Sequence, residues 1–146
     1  EAVGLHINDI NLDCNIAHID LKPHAWRSLK TKSSTRQIPL VGASLWAAKR
    51  IKENNNGSLY VFPRYTSNKE TKSNSASAAI NKWLKSRVPE GCVIHSFRHS
   101  LRDRLRAVQC PSDVIDQIGG WSLRSVGQGY GKGYDANILL KWISKI

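Results

Sequence analysis

Residues 94–100 read Ile-His-Ser-Phe-Arg-His-Ser, and residues 119–121 read Gly-Gly-Trp. The first stretch places His95 and Arg98 one helical turn apart, so both side chains project from the same face. Apolar residues then recur at helical spacing through residues 101–108, which predicts an amphipathic helix. A histidine and an arginine at this spacing are more typical of a solvated helix face than of a site, so the residues that follow decide the interpretation.

A second, shorter helix is predicted between these two stretches. Ser112 is its expected N-cap, apolar residues follow at helical positions, and Gly119-Gly120 ends it. Trp121 comes next, and Tyr130 lies nine positions further along the chain. The sequence therefore supplies a histidine, an arginine, an indole N–H and a phenol in a fixed order. Cations and donors of this kind stabilise the negative charge of a phosphoryl-transfer transition state, and a phenol can serve as its nucleophile.

This order resembles the catalytic domain of the tyrosine recombinases, the phage-integrase family, whose box reads H-x-[LF]-R-H-[TS]. In that family a tyrosine attacks a DNA phosphodiester and becomes joined to the 3′ phosphate. The resemblance implies that Tyr130 is the nucleophile, because it keeps the family's spacing from the His/Trp position and Tyr134 does not. It also implies that Arg98 and His95 stabilise the pentavalent phosphate and that Trp121 adds a hydrogen bond. The alternative for Trp121 is a core residue, but the preceding double glycine and the register favour the site.

Residues 30–40, Lys-Thr-Lys-Ser-Ser-Thr-Arg-Gln-Ile-Pro-Leu, resemble the family's K-T-x-(x)-S-x-R-x-[IV]-P-L hairpin. In the family its lysine protonates the leaving 5′ oxygen. A lysine suits that role because neighbouring cations can lower its pKa. The resemblance assigns Lys30 as this acid, since it heads the Lys-Thr pair, and Lys32 remains the competing assignment.

Residues 1–10 resemble the segment that follows the family's first catalytic arginine, with Glu1 as its glutamate. Residues 1–21 hold no arginine or lysine to fill that role. We therefore expect residues 1–146 to be a recombinase catalytic domain, incomplete at its amino-terminal side and without the core-binding domain. We also expect this piece to be inactive alone.

Charge points to a polyanionic partner. Lys plus Arg total 22 against 11 for Asp plus Glu, a net charge of +11. Residues 21–50 carry only basic charges, as expected of a segment that enters a DNA groove.

The three cysteines form no C-x-x-C pair, which favours reduced, mostly buried thiols over a zinc site or a disulfide framework. No apolar run approaches the length of a membrane span.

The pattern predicts a mainly α fold with a small three-stranded antiparallel sheet, the tyrosine-recombinase catalytic-domain fold. Strands are expected in residues 16–21, 26–29 and 36–40. A helix over residues 75–84 should turn Ala79, Ile80, Trp83 and Leu84 inward. The tail, residues 135–146, has an apolar helical stripe of Ile138, Leu139 and Trp142, which could pack on a neighbouring protomer or on its own domain.

The resemblance thus implies an integrase of a phage or genomic island. It would recombine specific sites by cleaving and rejoining double-stranded DNA through a 3′-phosphotyrosine, as a homotetramer on the recombining sites. The reaction needs neither metal nor nucleotide, because the phosphotyrosine conserves the bond energy. The expected location is the bacterial cytoplasm, at the nucleoid. The alternatives are a type IB topoisomerase-like enzyme and a DNA-binding regulatory module that keeps the fold without cleaving.

Overall fold

Three short strands form one antiparallel sheet in the order β1-β2-β3. In the computed structural model, which describes residues 1–31, 34–121 and 133–146, they are β1 (Ile10–Asn11), β2 (His18–Leu21) and β3 (Arg36–Pro39). The register sets Ile19 of the central strand opposite Ile10 on one side and Ile38 on the other. This stacks β-branched side chains across the sheet, the pairing that stabilises short strands.

The predicted sheet is confirmed, but the predicted strand over residues 26–29 is wrong, and Ile10–Asn11 takes its place. Residues 24–27 form a turn in which the backbone N–H groups of His24 and Arg27 each donate to the other's carbonyl. The buried Arg27 side chain donates to the backbone carbonyls of Glu1, at 2.9 Å, and Lys22. Trp26 Nε1 donates to the Gly4 carbonyl at 3.0 Å. Contacts with the first residues of the chain therefore outweigh the strand propensity of this segment.

Five α-helices lie in the described residues: α1 (Gly42–Glu53), α2 (Ser73–Leu84), α3 (Ser96–Ala107), α4 (Ser112–Gly119) and α5 (Ala136–Ile143). They confirm the mainly α prediction. Ser112 was predicted as the N-cap of α4, but the N-cap is Pro111 and Ser112 is the first helical residue. Asp135 caps α5, because its side chain accepts the backbone N–H of Ile138 at 3.0 Å.

Two apolar clusters hold these elements together. The smaller joins the sheet to α1 through Ile10, Leu40 and Ala48. The larger lies among α3, α4 and α5, and its buried members are Leu105, Cys110, Val114, Ile115, Ile118, Leu139 and Ile143. The ends of α3 and α4 are thereby fixed relative to each other, which positions the site described below.

Two packing predictions are corrected by the burial of the side chains. On α2 the buried residues are Ala76 and Leu84, while Ala79, Ile80 and Trp83 are exposed, because helical spacing identifies an apolar face but not what covers it. Of the cysteines, Cys110 is buried, while Cys14 and Cys92 are exposed.

Two alternatives were left open for the tail helix, and the structure shows the one in which it packs on its own domain. Leu139 and Ile143 are buried in the larger cluster, and α5 lies against β3.

Candidate active site at the junction of α3 and α4

The first turn of α3 carries the histidine and arginine of the sequence motif. His95 is the N-cap of this helix and is exposed, and its ring meets that of His99 edge to face, with centroids 5.2 Å apart. Arg98 is half-buried one turn further along. The helix thus carries a histidine at its N-cap and an arginine in its first turn.

Trp121 is held beneath two arginines of α3. The guanidinium carbon of Arg98 lies 4.3 Å from the centroid of the indole ring, and that of Arg102 lies 4.8 Å from it. These are cation–π distances. Arg102 also pairs with the buried Asp116 of α4, with Nη2 3.2 Å from Oδ1. The indole ring is therefore covered by two side chains of α3, the helix that carries Arg98.

The two glycines before Trp121 are required by the geometry of the turn. Gly120 ends α4 in the left-handed region, with φ of 63°. The backbone N–H of Trp121 donates to the Asp116 carbonyl at 2.9 Å and that of Gly120 to the Gln117 carbonyl at 3.3 Å, the bond pattern of a Schellman motif. A Cβ on Gly119 would lie 1.7 Å from the indole ring. The double glycine therefore lets the tryptophan fold back over the end of the helix.

Glu1 completes the charged groups near this junction. Its carboxylate accepts from Arg36, with Oε1 3.3 Å from Nη1 and Oε2 3.1 Å from Nη2. Partial burial raises the pKa of Glu1. The hydrogen bonds and charge of Arg36 outweigh that effect, together with the positive charge of Arg98, so the pKa lies below its usual value of 4.5. Glu1 is therefore an anion at neutral pH, within electrostatic reach of Arg98.

Not every predicted site residue falls within the described residues. Lys30 does, and its exposed side chain lies in the connection between β2 and β3. The competing Lys32 and the predicted nucleophile Tyr130 lie outside the described residues. The structure thus brings Arg98 and Trp121 together and places His95 at the N-cap of the helix that carries Arg98. Lys30 lies in the connection between β2 and β3, and the strand predicted just before it is absent from the described residues.

Tyr134, the rejected alternative nucleophile, is engaged in packing. Its hydroxyl donates to the Asp113 carboxylate, and its backbone N–H and carbonyl each bond the side-chain amide of Gln117 at 2.8 Å. The hydrogen bond to Asp113 raises the pKa of Tyr134 above its usual value of 10.0, and burial and the Asp113 charge act in the same direction. This phenol is therefore poorly suited to become a nucleophilic phenolate.

Sequence reasoning missed two arginines of this junction, Arg36 and Arg102. The signal for Arg102 was its position one helical turn after Arg98, on the same face. Arg36 was part of the quoted hairpin motif but received no role. Residues 1–31, 34–121 and 133–146 hold no cluster of three or more His, Cys, Asp and Glu side chains that could bind a metal ion.

Comparison with known proteins identifies one family. The model of the phage integrase family matches residues 1–136, which is most of the chain. No curated protein and no solved structure gives a significant match.

Proposed function

The chain belongs to the phage integrase family, and from that premise we propose that it recombines DNA at specific sites by cleaving and rejoining strands through a 3′-phosphotyrosine. The observation that carries the proposal is the stacking of Arg98 on Trp121, at 4.3 Å, from the helix whose N-cap is His95. This stack brings a cation and an indole together, although 22 residues (99–120) separate the arginine from the tryptophan in the sequence.

The chemistry follows from these groups. The phenol oxygen of Tyr130 attacks the scissile phosphorus and loses its proton to solvent, and a bond from phosphorus to the tyrosine oxygen forms. The bond from phosphorus to the 5′ oxygen breaks, and Lys30 donates a proton to that leaving oxygen. Rejoining is the reverse, with a 5′ hydroxyl as the attacking group. Because the phosphotyrosine conserves the energy of the broken bond, no nucleotide has to be hydrolysed.

The residues around the phosphate have separate roles in this proposal. Arg98 and His95 neutralise the charge that develops on the non-bridging oxygens, and the indole N–H of Trp121 donates to one of them. The charge of the chain suits the substrate: the net charge is +11, and residues 21–50 carry only basic groups. We expect affinity for duplex DNA to fall steeply as salt rises, because each cation–phosphate contact releases counterions.

The proposal extends to the assembly. Recombination between two duplexes cleaves four strands, one for each protomer, so we expect a homotetramer on the paired sites. The expected location is the bacterial cytoplasm, at the nucleoid. Among the described residues, the structure shows no helix with the length and apolar character needed to span a membrane.

A suicide-substrate experiment with the intact protein tests the function. A pool of nicked duplexes with randomised sequence is incubated with the protein in EDTA, so that cleavage beside the nick releases a short strand and traps the covalent intermediate. We expect a detergent-resistant protein–DNA adduct enriched in one sequence, and none with Tyr130→Phe. DNA binding without an adduct would favour a regulatory module. An adduct without sequence preference, together with relaxation of any supercoiled plasmid, would favour a type IB topoisomerase-like enzyme.

A further inference from the structure

The side chain of Arg36 is buried, and its guanidinium makes four hydrogen bonds. Its side chain is only 6% exposed. Nε donates to the Ile118 carbonyl at 3.0 Å, Nη1 donates to the Ser34 carbonyl at 2.7 Å, and both Nη atoms bind the Glu1 carboxylate. A charge at this depth is tolerated only when it is paired and hydrogen-bonded, so the arrangement is built around this side chain.

The acceptors of Arg36 come from separate parts of the site. Ile118 lies in the last turn of α4, where carbonyls lack helical partners and a cation complements the helix dipole. Ser34 lies in the connection that carries Lys30, and its hydroxyl and backbone N–H both bond Thr31, at 3.0 and 3.1 Å. One guanidinium therefore ties the end of α4, which leads into Trp121, to the segment that follows Lys30.

The contact with the turn before Trp121 is especially close. A Cβ on Gly120 would lie 2.4 Å from Nη1 of Arg36 and 2.6 Å from its guanidinium carbon. The guanidinium thus packs directly on the backbone of Gly120, the residue that precedes Trp121. The indole ring is held by Arg98 and Arg102, and the backbone behind it is held by Arg36.

We infer that Arg36 is a positioning residue. It holds Trp121 and the connection that carries Lys30 at the relative positions that the reaction requires, and it does not itself contact the DNA. This inference rests on the proposed function. A lysine cannot replace Arg36, because the acceptors on Ile118, Ser34 and Glu1 are arranged around a planar guanidinium. A single ammonium nitrogen on a flexible stem cannot donate to all three at once. A displacement of a catalytic group by about 1 Å typically lowers the rate by about 10²-fold.

The experiment compares Arg36→Lys with Arg50→Lys, a matched change at an exposed arginine of α1. Single-turnover formation of the covalent adduct is measured at saturating DNA, alongside the DNA dissociation constant, at a temperature where melting curves show both variants folded. We expect Arg36→Lys to slow adduct formation by about 10- to 100-fold with less than about a twofold change in the dissociation constant. Arg50→Lys should change neither quantity.

A spectroscopic readout tests the positioning without any catalysis. Each tryptophan gives one indole N–H signal in a ¹H–¹⁵N spectrum, and Trp121→Phe identifies the signal of Trp121. Arg36→Lys should shift or broaden the Trp121 signal and leave that of the exposed Trp46 unchanged. In the double variant with Trp121→Phe, the rate loss should be smaller than the product of the single losses, because the two residues act through one contact chain.

These outcomes separate the inference from the proposed function. If the wild-type protein forms no adduct, the proposed function fails, and the Trp121 signal alone still decides whether Arg36 positions the indole. If the adduct forms and Arg36→Lys changes neither the rate nor the Trp121 signal, the inference is overturned. If Arg36→Lys does not fold, Glu1→Gln replaces it as the test, because Glu1 bonds Arg36 but is 40% exposed. Glu1→Gln must then shift the Trp121 signal. An unchanged signal in that variant counts against the inference.

Discussion

The guanidinium of Arg98 stacks on the indole of Trp121, with 4.3 Å between the guanidinium carbon and the ring centroid. Arg102, one turn later on α3, lies over the same ring at 4.8 Å. Two cations from one helix therefore fix the orientation of a ring that lies beyond the end of another helix. The stack gives the indole N–H a defined direction, which a hydrogen bond to a phosphate requires.

Replacing Trp121 by phenylalanine separates stacking from hydrogen bonding. A smaller aromatic ring remains for Arg98 and Arg102 to cover, and the indole N–H is lost. We expect DNA binding and the melting temperature to change little, and adduct formation to slow by about 10²-fold, the usual cost of one lost transition-state donor. Trp46→Phe, at a tryptophan that is 66% exposed on α1, is the matched control and should retain the wild-type rate. A Trp121→Phe protein with the wild-type rate would assign this tryptophan to packing.

The backbone at Gly120 should tolerate no side chain. Alanine at φ of 63° is strained by about 1–2 kcal/mol, and its Cβ would also collide with Arg36. Gly57 provides the control, because its φ is 81° but a Cβ there would meet no atom within 4 Å. Urea denaturation should show a larger loss of stability for Gly120→Ala than for Gly57→Ala. Equal losses would mean that the guanidinium does not pack on this turn.

The tail helix contributes to the stability of its own domain. Leu139 is 2% exposed and lies in the cluster of α3 and α4, whereas its neighbour Ile138 is 37% exposed. Leu139→Ala should lower the free energy of unfolding by about 2–5 kcal/mol, because it leaves a cavity. Ile138→Ala should cost distinctly less. A Leu139→Ala variant with wild-type melting but weaker assembly on paired sites would instead support packing on a neighbouring protomer.

Tyr134 should make stability depend on alkaline pH. Its folded-state pKa is raised, first by the hydrogen bond to Asp113, so this bond stabilises the fold fully below the ordinary pKa of 10.0 and is lost as pH rises through the raised value. Tyr134→Phe should therefore be less stable than wild type at about pH 8, and the difference should shrink by about pH 11. The variant should still form the covalent adduct. A difference that stays constant with pH would rule out this bond as its cause.

The helices could be predicted from local patterns, since apolar spacing and breakers such as Gly119-Gly120 lie close together in the sequence. The false strand at residues 26–29 shows the limit of this approach. This segment forms a turn because Arg27 and Trp26 bond to residues 1–4, and the strand propensity of the segment does not report such tertiary contacts. The same holds for the exposed Trp83, whose helical position indicated an apolar face without showing its neighbours.

The site could be predicted only in part for a similar reason. The order of His95, Arg98 and Trp121 was visible, and the structure places Arg98 on Trp121. The bond between Arg36 and the Ile118 carbonyl joins residues 82 positions apart, and no local pattern indicates such a closure. The role of Arg36 therefore emerges only when the sheet is packed against α4.

Mapping the DNA-linked tyrosine tests the central claim most directly. The adduct trapped on a nicked duplex by the intact protein is digested with protease and nuclease, and the peptide that carries the residual nucleotide is identified by mass spectrometry. We predict that the nucleotide is on Tyr130 and that Tyr130→Phe abolishes the adduct while DNA binding persists. A nucleotide on Tyr134, or an adduct that survives Tyr130→Phe, would contradict both the choice of nucleophile and the role given to Trp121.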